Sequence, residues 1–140
     1  MPSTLERKKT DGAVILTYLG KVTDAEFQQC MKEKFFLSKE ILSPEKVEAL
    51  RYSISDCSGV TGFDVSIDTM KRNARLSRAV IETNPTVLMA VVAPNNQEFG
   101  MGRLWQAYMG NQGESAKIFR TKEEANNWIV QTLALPEKSI

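Results

Sequence analysis

The sequence contains no histidine, and this absence excludes several kinds of chemistry. Without an imidazole there is no Ser-His-Asp triad, no Cys-His pair and no histidine ligand for zinc or iron. Cysteine is scarce too: Cys30 and Cys57 are too few for a disulfide framework and form no C-x-x-C pair. Carboxylate, lysine and tyrosine remain as catalytic groups, but no motif singles them out. We therefore expect a protein that is not an enzyme and that holds no metal and no cofactor.

The chain also lacks a surplus of charge and a long apolar run. Eighteen basic residues and seventeen acidic ones give a net charge of +1, which argues against nucleic acid or an acidic membrane surface as a partner. The longest apolar stretch, Val87 to Ala93, is far shorter than the ~20 residues that span a bilayer. The start of the chain has no apolar segment of the signal-peptide type. These features predict a cytoplasmic protein without a membrane span.

The 140 residues have the composition of one globular domain, with 42% hydrophobic and 25% charged residues. Asp11-Gly12 lies between two strand-like segments and predicts a hairpin turn. Alternating or continuous apolar patterns predict the other strands. The predicted strands are Leu5–Lys9, Ala13–Leu19, Val47–Ser55, Val87–Ala93 and Ala116–Phe119.

Four helices are predicted between and after these strands. The segments Thr23–Glu26 and Thr121–Glu124 have the residue types of a capping box, in which threonine and glutamate satisfy free amides at a helix start. Asn84-Pro85 ends the second helix, and Asn95-Asn96 supplies the cap of the third. Apolar residues at helical spacing predict the buried faces. These are Phe27, Cys30, Met31 and Phe35 in the first helix, Ile67, Met70, Ala74, Ser77 and Ile81 in the second, Met101, Leu104, Trp105, Tyr108 and Met109 in the third, and Ala125, Trp128, Ile129 and Leu133 in the fourth.

The order of these elements is β-β-α-β-α-β-α-β-α. Alternation of strands and helices indicates crossover connections and a largely parallel sheet, with the first arm of the hairpin as an antiparallel edge. No internal repeat, linker or low-complexity tract interrupts the chain. We therefore predict an α/β fold with a mixed, mostly parallel sheet covered by helices, in a single domain over residues 1–140.

The densest group of polar side chains runs from Asp56 to Ser66, between a predicted strand and a predicted helix. In open parallel sheets ligands bind beyond the carboxyl ends of strands, and a helix start offers free amides to an anion. We expect a turn-rich loop here that binds a protein partner or a ligand. Its candidate residues are Asp56, Ser58, Thr61, Asp64 and Ser66. In the alternative interpretation, Asp64 or Ser66 caps the helix while Asp56 and Ser58 bond amides of their own loop.

Two further groups have a functional and a structural interpretation. A basic stripe on the second helix is either a solvated face or a docking surface for an acidic partner or a phosphate. It consists of Lys71, Arg72, Arg75 and Arg78. A row on and near the third helix is either core or the wall of an apolar ligand pocket or interface. It consists of Phe99, Leu104, Trp105 and Tyr108.

The segments Arg51–Ser66 (RYSISDCSGVTGFDVS) and Phe99–Arg103 (FGMGR), with the hairpin and the alternating elements, resemble the SpoIIAA-like branch of the STAS domain superfamily. The resemblance extends over roughly Leu5 to Ile129 and implies a STAS-type sheet whose strand-to-helix loop is the working surface. In the anti-sigma-factor antagonists of that superfamily the loop reads Asp-Ser-Ser-Gly, and its first serine accepts a phosphate. Here Asp64 and Ser66 match, but Val65 stands at the acceptor position and has no hydroxyl, so phosphorylation at that position is excluded.

Two functions follow from these observations. The first is a non-enzymatic signalling or interaction module that docks a protein partner through the Asp56–Ser66 segment and the following helix. The alternative is a binder of a small apolar or lipid-like ligand between the sheet and the third helix. The oligomeric state is open, and a homodimer through a sheet edge or the third helix is one candidate.

Overall fold

In the computed structural model, the described residues 3–8, 12–34 and 48–135 form a five-stranded sheet and four α-helices. The strands are β1 (Ser3–Lys8), β2 (Ala13–Thr23), β3 (Tyr52–Asp64), β4 (Leu88–Val92) and β5 (Ala116–Phe119). The helices are α1 (Asp24–Lys34), α2 (Ile67–Thr83), α3 (Asn96–Tyr108) and α4 (Lys122–Leu133), and a 3-10 helix (Gly110–Ser115) lies between α3 and β5. The strand order is β1-β2-β3-β4-β5, with β1 antiparallel to β2 and the other neighbours parallel. The predicted fold class and order of elements are confirmed.

The sheet has a separate hydrophobic core on each face. Successive side chains of a strand point to opposite faces, so β2 contributes Val14 and Leu16 to one core and Ala13 and Ile15 to the other. Buried side chains of α1, α2 and α3 pack on the first face, which we call the three-helix face. Helix α4 packs on the second, the one-helix face, through residues that include Ile129. Helical cover on both faces explains why β4, predicted as a buried strand, is apolar throughout.

The helices begin where the capping pattern predicts. Thr121 Oγ1 accepts a hydrogen bond from the amide of Glu124 at 3.2 Å, and its hydroxyl donates to Glu124 Oε1 at 3.0 Å. At the start of α1, Thr23 Oγ1 accepts from the amide of Glu26 at 3.5 Å. Asn95 is the N-cap of α3, although its side chain makes no cap hydrogen bond. The two threonine caps each satisfy an amide that the helix itself leaves unpaired.

Most of the predicted buried faces are confirmed. Met70, Ala74, Ser77 and Ile81 of α2 are buried, and so are Phe27, Cys30 and Met31 of α1, Trp105 and Met109 of α3, and Ala125 and Ile129 of α4. Ile67 was predicted to be buried, and that prediction is wrong, because it is the first residue of α2 and its side chain is 53% exposed. The buried residues of α3 are Glu98, Gly102 and Trp105, while Met101, Leu104 and Tyr108 are partly exposed. Phe35, Thr10 and Asp11 lie outside the described residues.

Strand β3 differs from its predicted bounds at both ends. It begins at Tyr52 instead of Val47 and continues to Asp64, so the segment Asp56–Asp64 is strand and not the predicted loop. The extra residues pair with β2, where Gly59 lies opposite Leu19. Gly59 and Gly62 have ordinary negative-φ or extended backbone and make no turn. A Cβ at Gly59 would lie 2.5 Å from Leu19 Cδ2, so this glycine serves the close approach of two strands.

The extension of β2 and β3 projects beyond the rest of the sheet. The last residue of β2 that pairs with β1 is Tyr18, and the last residue of β3 that pairs with β4 is Asp56. In the described part of the chain, residues Leu19–Thr23 and Cys57–Asp64 therefore pair only with each other. We call this pair of segments the ribbon. Irregularities of register at Thr17/Leu19 and Gly20/Lys21 accommodate the greater length of β3.

Two glycines with positive φ provide a matched test of this backbone. Gly12 has φ +63°, and a Cβ there would lie 2.6 Å from the carbonyl oxygen of Ala49, whereas Gly110 has φ +60° with nothing within 4 Å. Both alanine substitutions impose left-handed strain, but only Gly12→Ala adds a clash with main chain. We expect Gly110→Ala to lower the free energy of unfolding by about 1 kcal/mol and Gly12→Ala by about 3 kcal/mol. Urea denaturation measures both, and equal losses would contradict the described packing at Gly12.

Candidate functional site

The five candidate residues of the Asp56–Ser66 segment fall into an exposed set and a buried one. Ser58, Thr61, Asp64 and Ser66 are exposed. Asp56 is only 9% exposed, and its Oδ1 accepts a hydrogen bond from the amide of Ser58 at 2.9 Å. Asp56 therefore fixes the backbone where the ribbon leaves the sheet. This agrees with the alternative interpretation of the sequence, in which Asp56 bonds an amide of its own segment. The exposed residues lie on the ribbon or directly after it.

Ser66 is the N-cap of α2, and it joins the starts of two helices. Its Oγ accepts from the amide of Thr69 at 3.2 Å and donates to Thr69 Oγ1 at 3.1 Å. The amide of Ser66 donates to Oδ1 of Asp24, the first residue of α1, at 2.7 Å. This amide, followed by the hydroxyls of Thr69 and Ser66, holds the pKa of Asp24 below its usual 3.8. A carboxylate of the chain thus occupies the anion position at the start of α2.

The residues around this junction form the end of the ribbon, which we call the ribbon tip: Thr23, Asp24, Asp64, Ser66 and Ile67. Asp64 is exposed and lies opposite Thr23 at the last pair of the ribbon. Val65, at the position that accepts a phosphate in the anti-sigma-factor antagonists, is only 8% exposed. The ribbon tip therefore presents an acid, a capping serine and an isoleucine, with the valine turned into the core.

One side of the ribbon carries no helix in the described structure. Leu19, Lys21 and Thr23 alternate with the buried residues of β2 and have the same orientation as Ala13 and Ile15 of the one-helix face. All three are exposed, and two of the β3 residues paired with this side are glycines, Gly59 and Gly62. We call this side the bare face. Its surface consists of few side chains and much main chain, with Leu19 as its large apolar group.

The four basic residues of α2 do not form one surface. Lys71 Nζ lies 5.6 Å from the centre of the Tyr108 ring, and Arg78 Nη1 donates to the carbonyl of Tyr108 at 3.0 Å. These two side chains join α2 to the end of α3. Arg72 is partly buried beside α1, where it lines a groove between α1 and α2. Arg75 is exposed.

The aromatic and apolar row of α3 is also divided. Of its four residues, Trp105 lines a cavity, while Phe99, Leu104 and Tyr108 are not among the residues that form it. The ring of Phe99 packs instead against the guanidinium of Arg120, with 3.8 Å between the guanidinium carbon and the ring centre. A cavity thus lies between the sheet and α3, and Trp105 is the one residue of the predicted row that lines it.

The cavity has a volume of about 40 Å³ and lies between the three-helix face and helices α1, α2 and α3. Tyr18, Phe27 and Phe63 form an aromatic wall, in which Phe27 stacks on Tyr18 and meets Phe63 edge-on. Burial raises the pKa of the Tyr18 hydroxyl well above its usual 10.0, with smaller contributions from Cys30, Cys57 and Glu26, so the hydroxyl stays protonated. Phe63 and Met101 are partly exposed and mark the side that solvent reaches.

Polar groups in this cavity were missed by the sequence analysis. Glu98 is 5% exposed and Trp105 is 4% exposed, and neither Glu98 Oε2 nor Trp105 Nε1 has a hydrogen-bond partner. Ser55, Cys57 and Asn73 also line the cavity. A glutamate in the first turn of a helix is typical of an exposed acid near the positive end of the helix dipole, so its burial is unexpected. The sequence signal that could have indicated the burial of Glu98 is its spacing to Gly102 and Trp105, because these three residues share one face of α3.

The described residues form neither a metal-ligand cluster nor a membrane-spanning helix. No group of three or more histidine, cysteine, aspartate or glutamate side chains within residues 3–8, 12–34 and 48–135 is placed to hold a metal ion. No helix in the same ranges is long and apolar enough to cross a bilayer.

The hydrogen bond between Asp24 and Ser66 predicts a dependence of stability on pH. Because the pKa of Asp24 in the folded protein is lowered from 3.8, its stabilising effect is present above that value and is lost as the pH falls through the lowered one. We expect Asp24→Asn to be less stable than the wild type at neutral pH, and the difference to shrink in acid. Urea denaturation at neutral pH and at acid pH measures the difference in free energy of unfolding between the variant and the wild type. Asp68→Asn removes a carboxylate from the first turn of α2 without touching Ser66, and an identical pH profile for both variants would contradict the assignment.

Comparisons with known proteins identify the fold. No family model matches the chain, and no curated protein matches it. Among solved structures, the chain is similar to an uncharacterized protein from the DUF3478 family with a SpoIIAA-like fold, from Shewanella loihica PV-4. The sequence identity is 16%, the match covers 91% of each chain, and the TM-score is 0.52. This chain therefore has the SpoIIAA-like fold that its sequence resemblance predicted.

Proposed function

We propose that the chain is a non-enzymatic, STAS-type interaction module that docks a protein partner on the ribbon tip and the bare face. The observation that carries the proposal is the position of Leu19 and Ile67. They are the large hydrophobic side chains exposed among the described residues, at 41% and 53%, and both belong to the projecting ribbon or its tip. Single exposed apolar residues are ordinary, so the support for the proposal is that both of these lie on the part of the chain that projects beyond the sheet.

The dimensions of the ribbon suit an interface of ordinary size. Leu19 lies four residues before Thr23 on β2, a distance of ~13 Å along the strand. Thr23 pairs with Asp64 of β3, and Ile67 follows three residues after Asp64 in the sequence. Both side chains thus fit within the ~800 Å² that each partner contributes to a standard complex. The exposed hydroxyls and the carboxylate of Ser58, Thr61 and Asp64 would form the polar rim.

The edge of β3 supports the same proposal. Beyond Asp56, no strand in the described part of the chain pairs with β3 on the side of β4. An extended segment of a partner can add to such an edge through main-chain hydrogen bonds. The Phe63 carbonyl there already accepts from Gln97 Nε2 at 3.1 Å, and the Ser58 amide already donates to Asp56 Oδ1 at 2.9 Å, so the length offered to a partner is Gly59–Gly62.

The remaining parts of the proposal rest on the sequence. The absence of histidine supports a role without acid–base catalysis, and the near-neutral charge supports a protein partner over nucleic acid. Signalling and a cytoplasmic location belong to the same proposal. A second copy of the chain, paired through the β3 edge, is the other occupant that the geometry admits.

A lipid-like ligand is the less favoured function. The cavity between the sheet and α3 has the predicted position, but its volume of about 40 Å³ accommodates roughly three water-sized groups. An acyl chain requires far more space than this. Polar groups that lack partners, Glu98 Oε2 and Trp105 Nε1, would also be poorly matched by a hydrocarbon.

The test compares ribbon variants with a matched surface control. The bait is the purified chain, and the candidate partner captured from cells is then purified and titrated against each variant. We expect Leu19→Ser combined with Ile67→Ser to weaken binding at least about tenfold, because exposed apolar anchors contribute most of the affinity of such interfaces. Glu123→Ser combined with Gln131→Ser, on the exposed side of α4, should leave it unchanged.

Two outcomes decide against a heterologous partner on the ribbon. Equal affinity for the ribbon variant and the wild type would place the interface elsewhere. If a second copy occupies the ribbon instead, the wild type sediments as a dimer and the Leu19→Ser, Ile67→Ser variant as a monomer.

A further inference from the structure

A buried carboxylate without a counter-charge lies in the cavity beneath α3. Glu98 is 5% exposed, and its Oε2 accepts no hydrogen bond. Its position differs from that of Asp56, the other buried acid of the described chain, whose carboxylate accepts from the Ser58 amide. Leaving a carboxyl oxygen buried and unpaired is unfavourable, so natural proteins supply such an oxygen with a donor or a cation.

Among the residues that the structure describes, none that lines the cavity has a cationic side chain to fill that role. The residues that line it include no lysine and no arginine. The nearest basic groups of α2 have other contacts, since Lys71 lies against Tyr108 and Arg72 faces the groove beside α1. The counter-ion of Glu98 must therefore come from outside the cavity wall.

A second unpaired group lies in the same space. Trp105 Nε1 is buried and donates no hydrogen bond, and Trp105 lines the cavity together with Glu98. Gly102 lies between them on the same face of α3, where it packs closely against the side chain of Ile118. The cavity thus offers one unpaired carboxyl oxygen and one unpaired N–H donor, and a ligand that satisfies both has a donor group and an acceptor.

The remaining walls restrict the size and the character of the ligand. Phe27, Met31, Met70 and Met101 surround the polar groups with apolar and aromatic surface. Such surface favours an organic cation over a hydrated metal ion, because aromatic faces and thioethers interact well with ammonium groups and alkyl carbons. At roughly 10–15 Å³ for each water-sized group, a volume of about 40 Å³ fits a ligand of about three to four non-hydrogen atoms.

We propose that this cavity binds a small organic ammonium ion, with Glu98 as its counter-ion and Trp105 Nε1 as the donor to an oxygen of the same ligand. The smallest compound with both groups is a short amino alcohol. This site lies on the inner side of the ribbon and does not depend on a protein partner at the bare face.

The two tryptophans of the chain make a direct test available. Trp128 lies on α4, against Phe119 and outside the cavity, so Trp128→Phe leaves Trp105 as the single fluorophore. In that background, 2-aminoethanol is titrated at constant ionic strength, and ethylene glycol serves as the neutral ligand of the same size. We expect a saturable change in Trp105 fluorescence with 2-aminoethanol, and at least about tenfold weaker binding of ethylene glycol.

Glu98→Gln in the same background removes the charge while it keeps the shape of the side chain. We expect at least about tenfold weaker binding of 2-aminoethanol by this variant, with Glu82→Gln on α2, which is exposed, as the unchanged control. No saturable signal, equal binding of the glycol, or equal binding by Glu98→Gln would each overturn the proposal. The first two results are obtained without Glu98→Gln, so they decide the question even if that variant does not fold.

Discussion

The pairing of β2 with β3 is the interaction on which the rest of the structure depends. These are the longest strands described, with 11 and 13 residues, and their alternation assigns each buried side chain to one of the two cores. A slip of one residue would exchange the two sets, so Tyr52 and Ile54 of β3 would leave the one-helix face and the side chains of both cores would no longer fit the helices that cover them. The same pairing continues past β1 and β4, so it also builds the ribbon and places the starts of α1 and α2 next to each other.

Local signals were sufficient for most of the fold, and non-local packing explains what they missed. Capping boxes and helical spacing depend on residues close together in the sequence. For this reason α1 and α4 begin directly after Thr23 and Thr121, as predicted. The sequence predicted a turn-rich loop where Gly59 lies, but the role of this glycine is set by Leu19 on another strand. The burial of Glu98 likewise depends on the packing of α3 against the sheet and the neighbouring helices, and the sequence signals it only through the spacing of Glu98 to Gly102 and Trp105.

The start of α2 separates this chain from the phosphate-accepting members of the superfamily that it resembles. There the loop offers a hydroxyl, whereas here Val65 is buried and the neighbouring Ser66 uses its hydroxyl on Thr69. The free amide that would attract an anion is bound to Asp24. A likeness at 16% identity shows the fold alone, so each function must be argued from the residues present.

The ribbon is both the outer surface near Leu19 and, through Phe63, a wall of the cavity. On the outside, Gly59 and Gly62 add no side chains of their own and lie beneath those of Leu19 and Lys21. In the described part of the chain no third strand braces the ribbon. Gln97 of α3 donates to the Phe63 carbonyl at the side of the cavity that solvent reaches. Bending of the two strands relative to α3 would therefore change the width of that opening.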